Sequence, residues 1–442
     1  MKTLCLNMIV KNEIKIIKRC FDSIVDYIDY WVICDTGSTD GTQKFIRNYF
    51  KEKNIKGELH EVHWVNFGFN RQQSIQKSYK KADYIILLDA DFTVVINDKN
   101  FKDKLHEPQY LIRYDSNSEY YNIKLVSANY LWKYEGVTHE YIYNDILEKS
   151  NSRSKIFNGF YIKEYTDGSN RTLEKKFKRD IELLKKGIKE EPNNSRYYFY
   201  LANSYKDINN YDKALYYYKK RMNMDGYNEE KYMSMYTYAK IKEKLGIDKE
   251  ILIPYFLESY KLIPTRFESI YEIIKYYRIK GDYKKGYDYG KLILKNIYQK
   301  NKHFLFVNKY ILEIGILDEL SICSFYVKDY RLSLTLINRI LFNKNIISKI
   351  ANDEYKRITE NKNLALSNIE FNKKIVEKFQ IPNNNKNKYY FLNSPSLINY
   401  EDSNDSQNEP IENFKNTKNC YYLNYNHIII FVTILTIYLF LF

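Results

Sequence analysis

The chemically most suggestive feature of the sequence is a pair of aspartates, Asp89 and Asp91. They stand two residues apart, directly after the apolar run Tyr84–Leu88. Two carboxylates this close repel each other and resist burial unless something neutralises their charge. A divalent cation does so, and hard oxygen ligands suit Mg²⁺ or Mn²⁺. The pair therefore indicates a carboxylate site for a divalent metal.

A second polar segment, residues 35–42, reads DTGSTDGT. Its glycines permit a tight turn, and its Ser, Thr and Asp side chains can cap a following helix. Asp35, at the end of an apolar run, could accept hydrogen bonds from a ribose or a base. A simple capped turn between a strand and a helix explains the same residues, so both interpretations stay open.

Apolar runs that alternate with amphipathic stretches must position these segments. They predict strands at Thr3–Val10, Tyr30–Asp35, Gly57–Val62 and Tyr84–Leu88, with helices at Ile14–Tyr27, Gly41–Lys51 and Phe69–Lys80. Such alternation indicates an α/β fold with a parallel sheet and crossover helices. Ligands of these sheets bind at the carboxyl ends of the strands, where both polar segments lie.

Four segments resemble, in order and spacing, those of a family 2 glycosyltransferase with the GT-A fold. They are CLNMIVKNE at 5–13, DTGSTDGT at 35–42, NR at 70–71 and LLDAD at 87–91. The resemblance covers about the first 165 residues. It implies a Rossmann-like, mostly parallel sheet, a UDP- or GDP-linked sugar donor, and Mn²⁺ or Mg²⁺ as cofactor.

The resemblance also implies roles for single residues in donor binding. Asn12, Glu13 and Asp35 would line the nucleotide base and ribose, and Asp89 would contact the ribose or the sugar. Arg71 would contact phosphate or sugar, because a guanidinium fork matches phosphate oxygens. A surface ion pair is the alternative for this arginine.

The metal and the catalytic base are assigned in the same way. Asp91 would bind the metal that bridges the diphosphate. The segment GVTHE at 136–140 resembles the Gly-x-x-His-Glu segment of related enzymes. There His139 would bind the metal or contact the diphosphate, and Glu140 would deprotonate an acceptor hydroxyl. Many relatives carry another histidine near the strand predicted at 160–165, where this sequence has none, so the third metal ligand stays open.

From about Thr172 the pattern becomes helical and repetitive. The large and small residues of a tetratricopeptide-like repeat recur at Tyr198, Leu201, Ala202 and Tyr205 on a first helix and at Ala214 and Tyr218 on a second. A second copy begins after Pro264, a weaker one spans Leu317–Ser333, and 229–245 is a divergent pair. The sequence thus predicts an all-α solenoid of three or four repeats.

The C-terminal end is apolar and uncharged from Ile428 to Phe442. A helix begun at Tyr421 would be about 33 Å long, enough for a hydrocarbon core of about 30 Å. Lys415 and Lys418 precede it and favour a cytoplasmic position for the preceding chain. No secretory signal is visible, so we expect a single-pass tail anchor with a cytoplasmic catalytic body. A helix docked on the globular part is the alternative.

Composition limits the remaining classes. The net charge of +15 comes without a nucleic-acid recognition motif, so no specific nucleic-acid partner is expected. Five cysteines without a CxxC pair argue against a disulfide framework or a zinc site and for a reducing compartment. The expected layout is a transferase domain at 1–168, repeats at 169–380, a disordered linker at 381–420 and a transmembrane tail at 421–442.

These observations predict a metal-dependent, inverting glycosyltransferase acting on a protein, glycan or lipid acceptor. The repeats would hold that acceptor or a protein partner, and a truncation after Asp167 would keep donor hydrolysis but lose transfer. The rival hypothesis is a tetratricopeptide scaffold with an inactive transferase domain. Intact Asp35, Asp89 and Asp91 speak against it.

Overall fold

The computed structural model describes residues 1–378, except 116–119, 151–153, 166, 168–172, 298, 300–304, 344–346 and 348–349. The chain divides into two units, Met1–Lys378 and Phe379–Phe442, and the second lies outside the described residues. The linker and membrane tail expected at 381–442 therefore also lie outside them. Within the described ranges, no helix is long and apolar enough to cross a bilayer.

The N-terminal part is built on strands with short helices between them. The strands are β1 (Leu4–Val10), β2 (Tyr30–Asp35), β3 (Gly57–Glu61), β4 (Tyr84–Leu87), β5 (Phe92–Ile96), β6 (Gln109–Asp115), β7 (Tyr120–Ser127), β8 (Lys133–Glu135), β9 (Tyr141–Tyr143) and β10 (Lys155–Glu164). The helices are α1 (Ile17–Asp22), α2 (Thr42–Glu52), α3 (Phe67–Lys77) and α4 (Asp145–Lys149), with 3₁₀ turns at Val25–Tyr27 and Phe101–Lys104.

Among the described residues, eight strands form one sheet in the order β3-β2-β1-β4-β7-β6-β10-β5, and β8 pairs with β9 separately. The predicted α/β class is confirmed. Neighbouring strands are parallel throughout β3-β2-β1-β4 and between β6 and β10, whereas β4–β7, β7–β6 and β10–β5 are antiparallel. Antiparallel neighbours need no crossover helix, and the described chain from β4 to β7 contains no α-helix. The sheet is therefore mixed.

The parallel half of the sheet is buried on both faces. Leu6 and Met8 of β1 belong to one apolar cluster, whereas Cys5 of the same strand packs with Val32 and Leu87 in the cluster of the other face. A strand covered on both sides reads as a continuous apolar run. This explains why the sequence predicts β1, β2 and β4 to within a residue or two.

The C-terminal part of this unit consists of helices. They are α5 (Leu173–Glu190), α6 (Ser195–Asp207), α7 (Tyr211–Met222), α8 (Asn228–Lys244), α9 (Lys249–Leu262), α10 (Glu268–Ile279), α11 (Tyr283–Lys291), α12 (Ile316–Tyr326), α13 (Tyr330–Leu341) and α14 (Asn352–Lys378), with a π-helical turn at Ile311–Gly315 before α12. Three of the predicted helix pairs correspond to α6–α7, α10–α11 and α12–α13. The divergent pair predicted at 229–245 is wrong, because that stretch forms the single helix α8, which packs against α9.

A shared capping arrangement marks the second helix of each of these three pairs. Asn210, Asp282 and Asp329 precede α7, α11 and α13, and each side chain accepts a hydrogen bond from the backbone N–H three residues later. Such a cap satisfies one of the free N–H groups at a helix start. The recurrence supports a repeated helix–turn–helix unit.

Candidate functional site

The carboxylate of Asp35 lies buried at the carboxyl end of β2. Its Oδ1 accepts hydrogen bonds from the backbone N–H groups of Gly37 (2.9 Å) and Ser38 (2.8 Å) and from Gln43 (3.0 Å). Within the described part of the chain, no donor bonds to its other oxygen, Oδ2. A hydrogen-bond donor that reaches a buried carboxylate oxygen stabilises it, because burial without such a donor is costly in free energy. A base N–H or a ribose hydroxyl would supply one.

The loop after β1 closes against the same turn. The backbone N–H of Asn12 donates to Ser38 Oγ at 2.8 Å, and Asn12 Oδ1 accepts from the N–H of Thr39 at 2.7 Å. The N–H of Glu13 donates to Thr42 Oγ1 at 2.9 Å. The structure thus brings Asn12 and Glu13 to the Asp35 turn, and the Asn12 side chain bonds to Thr39 of that turn. Their role toward a nucleotide stays a prediction.

Arg71 on α3 joins two carboxylates that the sequence places far apart. Its Nε donates to Glu140 Oε1 at 2.6 Å, and a terminal nitrogen donates to Asp89 Oδ1 at 2.6 Å. About one-eighth of the Arg71 side chain is exposed (13%). Burial acts to lower the pKa of Arg71, but the charges of Asp89 and Glu140 raise it well above its ordinary value. The guanidinium is therefore a permanent cation between two anions.

Lys124 is a fourth charged residue in the cluster of Arg71, Asp89 and Glu140, and the sequence analysis did not predict it. It lies on β7 with its Nζ 3.9 Å from Asp89 Oδ2, and its side chain is 11% exposed. Burial lowers its pKa, although the charge of Asp89 opposes this. The available signal was a lysine inside the apolar run of β7, a place that normally disfavours a charge.

Asp91 is buried (4% exposed) in the turn between β4 and β5. Its backbone carbonyl accepts a hydrogen bond from the N–H of Tyr165 at 3.0 Å, so the chain after β10 closes over this turn. Its carboxylate is a hard oxygen donor of the kind that Mg²⁺ and Mn²⁺ bind. In the described ranges, no three His, Cys, Asp or Glu side chains are grouped closely enough to hold a metal by themselves. Asp91 would supply one ligand of such a metal, and the other ligands would have to come from a bound group.

His139 faces the helical repeats. Its ring stacks on Tyr200 of α6, with centroids 4.0 Å apart, and its Nε2 lies 3.9 Å from Asp180 Oδ2 of α5. Partial burial, with the positive charges of Lys176, Arg196 and Arg179, lowers the pKa of His139 to about 3, so the imidazole is neutral near pH 7. Its predicted role toward a metal or a diphosphate stays a prediction.

Close backbone contact brings α3 to the loop that carries Glu140. The N–H of Phe67 donates to the carbonyl of Val137 at 3.1 Å, and a Cβ on Gly68 would stand 2.1 Å from the carbonyl oxygen of Gly136. Only glycine allows the start of α3 to approach so closely. This contact sets Arg71, one helical turn later, within reach of Glu140.

The same loop is packed against the repeats. Val137 belongs to one apolar cluster with Ile181 and Leu184 of α5 and Tyr197 of α6. A transferase part ending near Asp167 would lose these neighbours. The structure therefore replaces our expectation of a separable catalytic part: without α5 and α6, donor hydrolysis should suffer together with transfer.

Comparison with known families finds two matches along the chain. Residues 5–129 match the model of glycosyl transferase family 2, and residues 183–216 match a tetratricopeptide repeat. The prediction of a family 2 glycosyltransferase domain followed by tetratricopeptide-like repeats is confirmed.

Two curated relatives cover parts of the chain. The SPbeta prophage-derived glycosyltransferase SunS of Bacillus subtilis is 25% identical over 244 residues, which are 50% of this chain and 53% of that protein. A TPR repeat-containing protein of Synechococcus elongatus is 28% identical over 113 residues, or 25% of this chain and 26% of that protein. The chain thus spans about half the length of the first relative and about a quarter of the second.

Solved structures match it at low scores. The crystal structure of MamA is 15% identical and covers 46% of this chain and 94% of its own, with a TM-score of 0.27. The C-terminal part of a TPR repeat-containing protein from Cytophaga hutchinsonii is 18% identical and covers 46% and 75%, with a TM-score of 0.31. Scores this low support no conclusion about function.

Proposed function

We propose that the family 2 domain transfers a sugar from a UDP- or GDP-linked donor to an acceptor, with inversion at the anomeric carbon and with Mn²⁺ or Mg²⁺. The observation that carries this proposal is the cluster in which Arg71 joins Asp89 to Glu140. Ionic groups this well covered are costly to keep unless geometry and charge are well matched, and charged groups whose pKa is strongly perturbed are candidates for function.

In this proposal the nucleotide lies against the ends of β1 and β2. Asp35 Oδ2 accepts from the base or the ribose, since Oδ1 is occupied by the turn. Asn12 shapes the loop through its bonds to Ser38 and Thr39, and Glu13 follows it beside the nucleotide.

At the end of β4, Asp91 would hold the metal together with diphosphate oxygens. The bound metal would act as a Lewis acid that stabilises the departing diphosphate. Asp89 contacts the ribose or the sugar, and its orientation is fixed by Arg71 and Lys124 on its two sides. Arg71 also offers its charge to the donor phosphates, because a guanidinium matches their oxygens.

Glu140 is the proposed catalytic base. The acceptor oxygen attacks the anomeric carbon, the bond from that carbon to the diphosphate oxygen breaks, and Glu140 takes the acceptor proton. Arg71 holds Glu140 through Oε1, which leaves Oε2 as the oxygen for the acceptor. A base must stand within hydrogen-bond reach of the proton it removes, and the Arg71 contact restricts where that reach lies.

The acceptor is a protein, a glycan or a lipid, and the repeats hold it or a partner protein, since solenoids offer extended binding surfaces.

For the C-terminal segment we propose a tail anchor that keeps the catalytic body at the cytoplasmic face of a membrane. Deleting Ile428–Phe442 should move the protein from the membrane pellet to the supernatant without loss of donor hydrolysis. Release of the full-length protein by carbonate extraction would contradict the anchor.

Nucleotide binding tests the donor site. UDP or GDP with Mn²⁺ should raise the melting temperature of the full-length protein, because a ligand that binds the folded state alone stabilises it by about 2.7 kcal/mol at 100 times its Kd. Asp35→Asn should weaken the shift, whereas Glu52→Gln, an exposed change on α2, should leave it unaltered. Equal shifts for all three proteins would remove Asp35 from the site, and no shift with either nucleotide would count against the function.

A further inference from the structure

The loop that carries Glu140 is held from outside the transferase domain, by one arginine of the repeats. We propose that Arg196 on α6 is a positioning residue for the sugar-transfer reaction: by fixing the carbonyl of His139, it fixes where Glu140 stands. This inference rests on the function proposed above. It makes the first repeat helices a working part of the active site, in addition to any role in binding a partner.

Two nitrogens of the Arg196 guanidinium donate hydrogen bonds to a single backbone carbonyl. Its Nε donates to the His139 oxygen at 3.1 Å, and one terminal nitrogen donates to the same oxygen at 2.8 Å. A fork of this kind restrains direction as well as distance. Lysine, with one ammonium group on a flexible stem, keeps the charge but cannot reproduce the fork.

The remaining contacts of Arg196 lock the guanidinium itself. Its other terminal nitrogen donates to Glu230 of α8 at 2.5 Å, and the Glu230 side chain is 1% exposed. The guanidinium carbon lies 4.7 Å from the ring centroid of Tyr200 and 5.1 Å from that of Tyr141. Glu230 of α8, Tyr200 on the same helix as Arg196, and Tyr141 of β9 therefore hold the guanidinium in place.

The carbonyl that Arg196 grips belongs to a strained residue. His139 has φ +53°, in the left-handed region that non-glycine residues rarely adopt. Such a conformation persists when surrounding contacts determine it, and it clusters at functional sites. Here the ring stacks on Tyr200, the neighbouring Thr138 hydroxyl lies 3.4 Å from Asp180, and Arg196 takes the carbonyl.

A short series of contacts runs from this carbonyl into the site. The peptide that Arg196 restrains joins His139 to Glu140, whose carboxylate receives the Nε–H of Arg71, and Arg71 also binds Asp89. If the peptide is released, Glu140 loses the restraint on its backbone although its side chain is unchanged. A misplacement of about 1 Å can lower a catalysed rate by about 10²-fold.

A double-mutant cycle in the full-length protein tests whether Arg196 positions Glu140 or only supports the fold. Arg196→Lys should lower the turnover number for nucleotide-sugar hydrolysis by about 10- to 100-fold. In a Glu140→Gln background the same change should have little further effect, because coupled residues are non-additive. Tyr198→Phe is the matched control, since it removes a hydrogen bond of α6 to Pro192 and should leave turnover unchanged. Equal losses from Arg196→Lys in both backgrounds would overturn the proposal.

Amide hydrogen exchange tests the role of Arg196 independently of any enzymatic activity. In the Arg196→Lys protein, the peptide containing residues 136–140 should exchange faster than in the parent, whereas β1 should be unchanged. Unaltered exchange at 136–140 would overturn the positioning role whether or not turnover falls. If the parent hydrolyses no nucleotide sugar but exchange responds as expected, the proposed function fails and the contact stands.

Discussion

Asp91→Asn is expected to abolish sugar transfer while the protein stays folded. The change keeps the size of a side chain that is 4% exposed, but it removes the negative charge that a divalent cation needs. Loss of the metal would leave the departing diphosphate without its Lewis acid, which supplies several kcal/mol of stabilisation, or on the order of 10³-fold in rate. The measurement is donor hydrolysis and transfer at saturating Mn²⁺, with circular dichroism to verify the fold.

Asp103→Asn is the matched control for this experiment. Asp103 is an exposed aspartate in the 3₁₀ turn Phe101–Lys104, so the same chemical change there should leave turnover and its Mn²⁺ dependence unaltered. Turnover by Asp91→Asn that is near normal and insensitive to a chelator would show that Asp91 holds no catalytic metal.

Glu140→Gln should lower the chemical step by about 10²- to 10⁴-fold, the usual contribution of a general base. Glutamine is nearly isosteric, and its amide oxygen can still accept the hydrogen bond that Arg71 Nε donates to Glu140 Oε1 at 2.6 Å. The architecture of the cluster should therefore survive, and nucleotide-sugar affinity should change little. Single-turnover kinetics measures the step, and calorimetry measures the affinity.

The calorimetric arm decides between two roles for Glu140. If the substitution chiefly destroys donor binding and leaves the rate from the bound state unchanged, Glu140 belongs to the donor site and the base must be sought elsewhere. Glu135→Gln is a useful comparison. It makes the same change of side chain five residues before Glu140, on the adjoining strand β8.

The part of the fold that local sequence patterns could predict is the parallel half of the sheet and the paired helices. Continuous apolar runs identify β1, β2 and β4, and turn residues mark the loops that follow them. The strands from β5 to β9 carry weaker signals, because β8 and β9 have three residues each and β6 alternates between buried and partly buried positions. Their pairing depends on long-range contacts that one strand's pattern does not record.

The candidate site likewise has features that local sequence patterns could predict and features that depend on long-range contacts. Sequence predicted which residue types stand at the strand ends, and the structure brings Asn12 and Glu13 to the Asp35 turn. It could not predict that Arg71 joins Asp89 to Glu140, since 18 and 69 residues separate the partners.

The environments of His139 and Lys124 were equally beyond local patterns. The stacking of His139 on Tyr200 requires the repeats to be docked on the loop, and the burial of Lys124 beside Asp89 depends on which strand pairs with β4. Both follow from tertiary packing, which no local period expresses.

The proposed function requires this site to use a nucleotide sugar as its donor. Its most direct test is to incubate the full-length protein with a panel of UDP- and GDP-linked sugars and Mn²⁺ and to measure release of the nucleoside diphosphate, with Asp91→Asn as the inactive control. We expect one class of donor to be hydrolysed by the parent protein, with chelator abolishing the release and Asp91→Asn showing none. Release by neither protein from any donor, or equal release by both, would contradict the assignment.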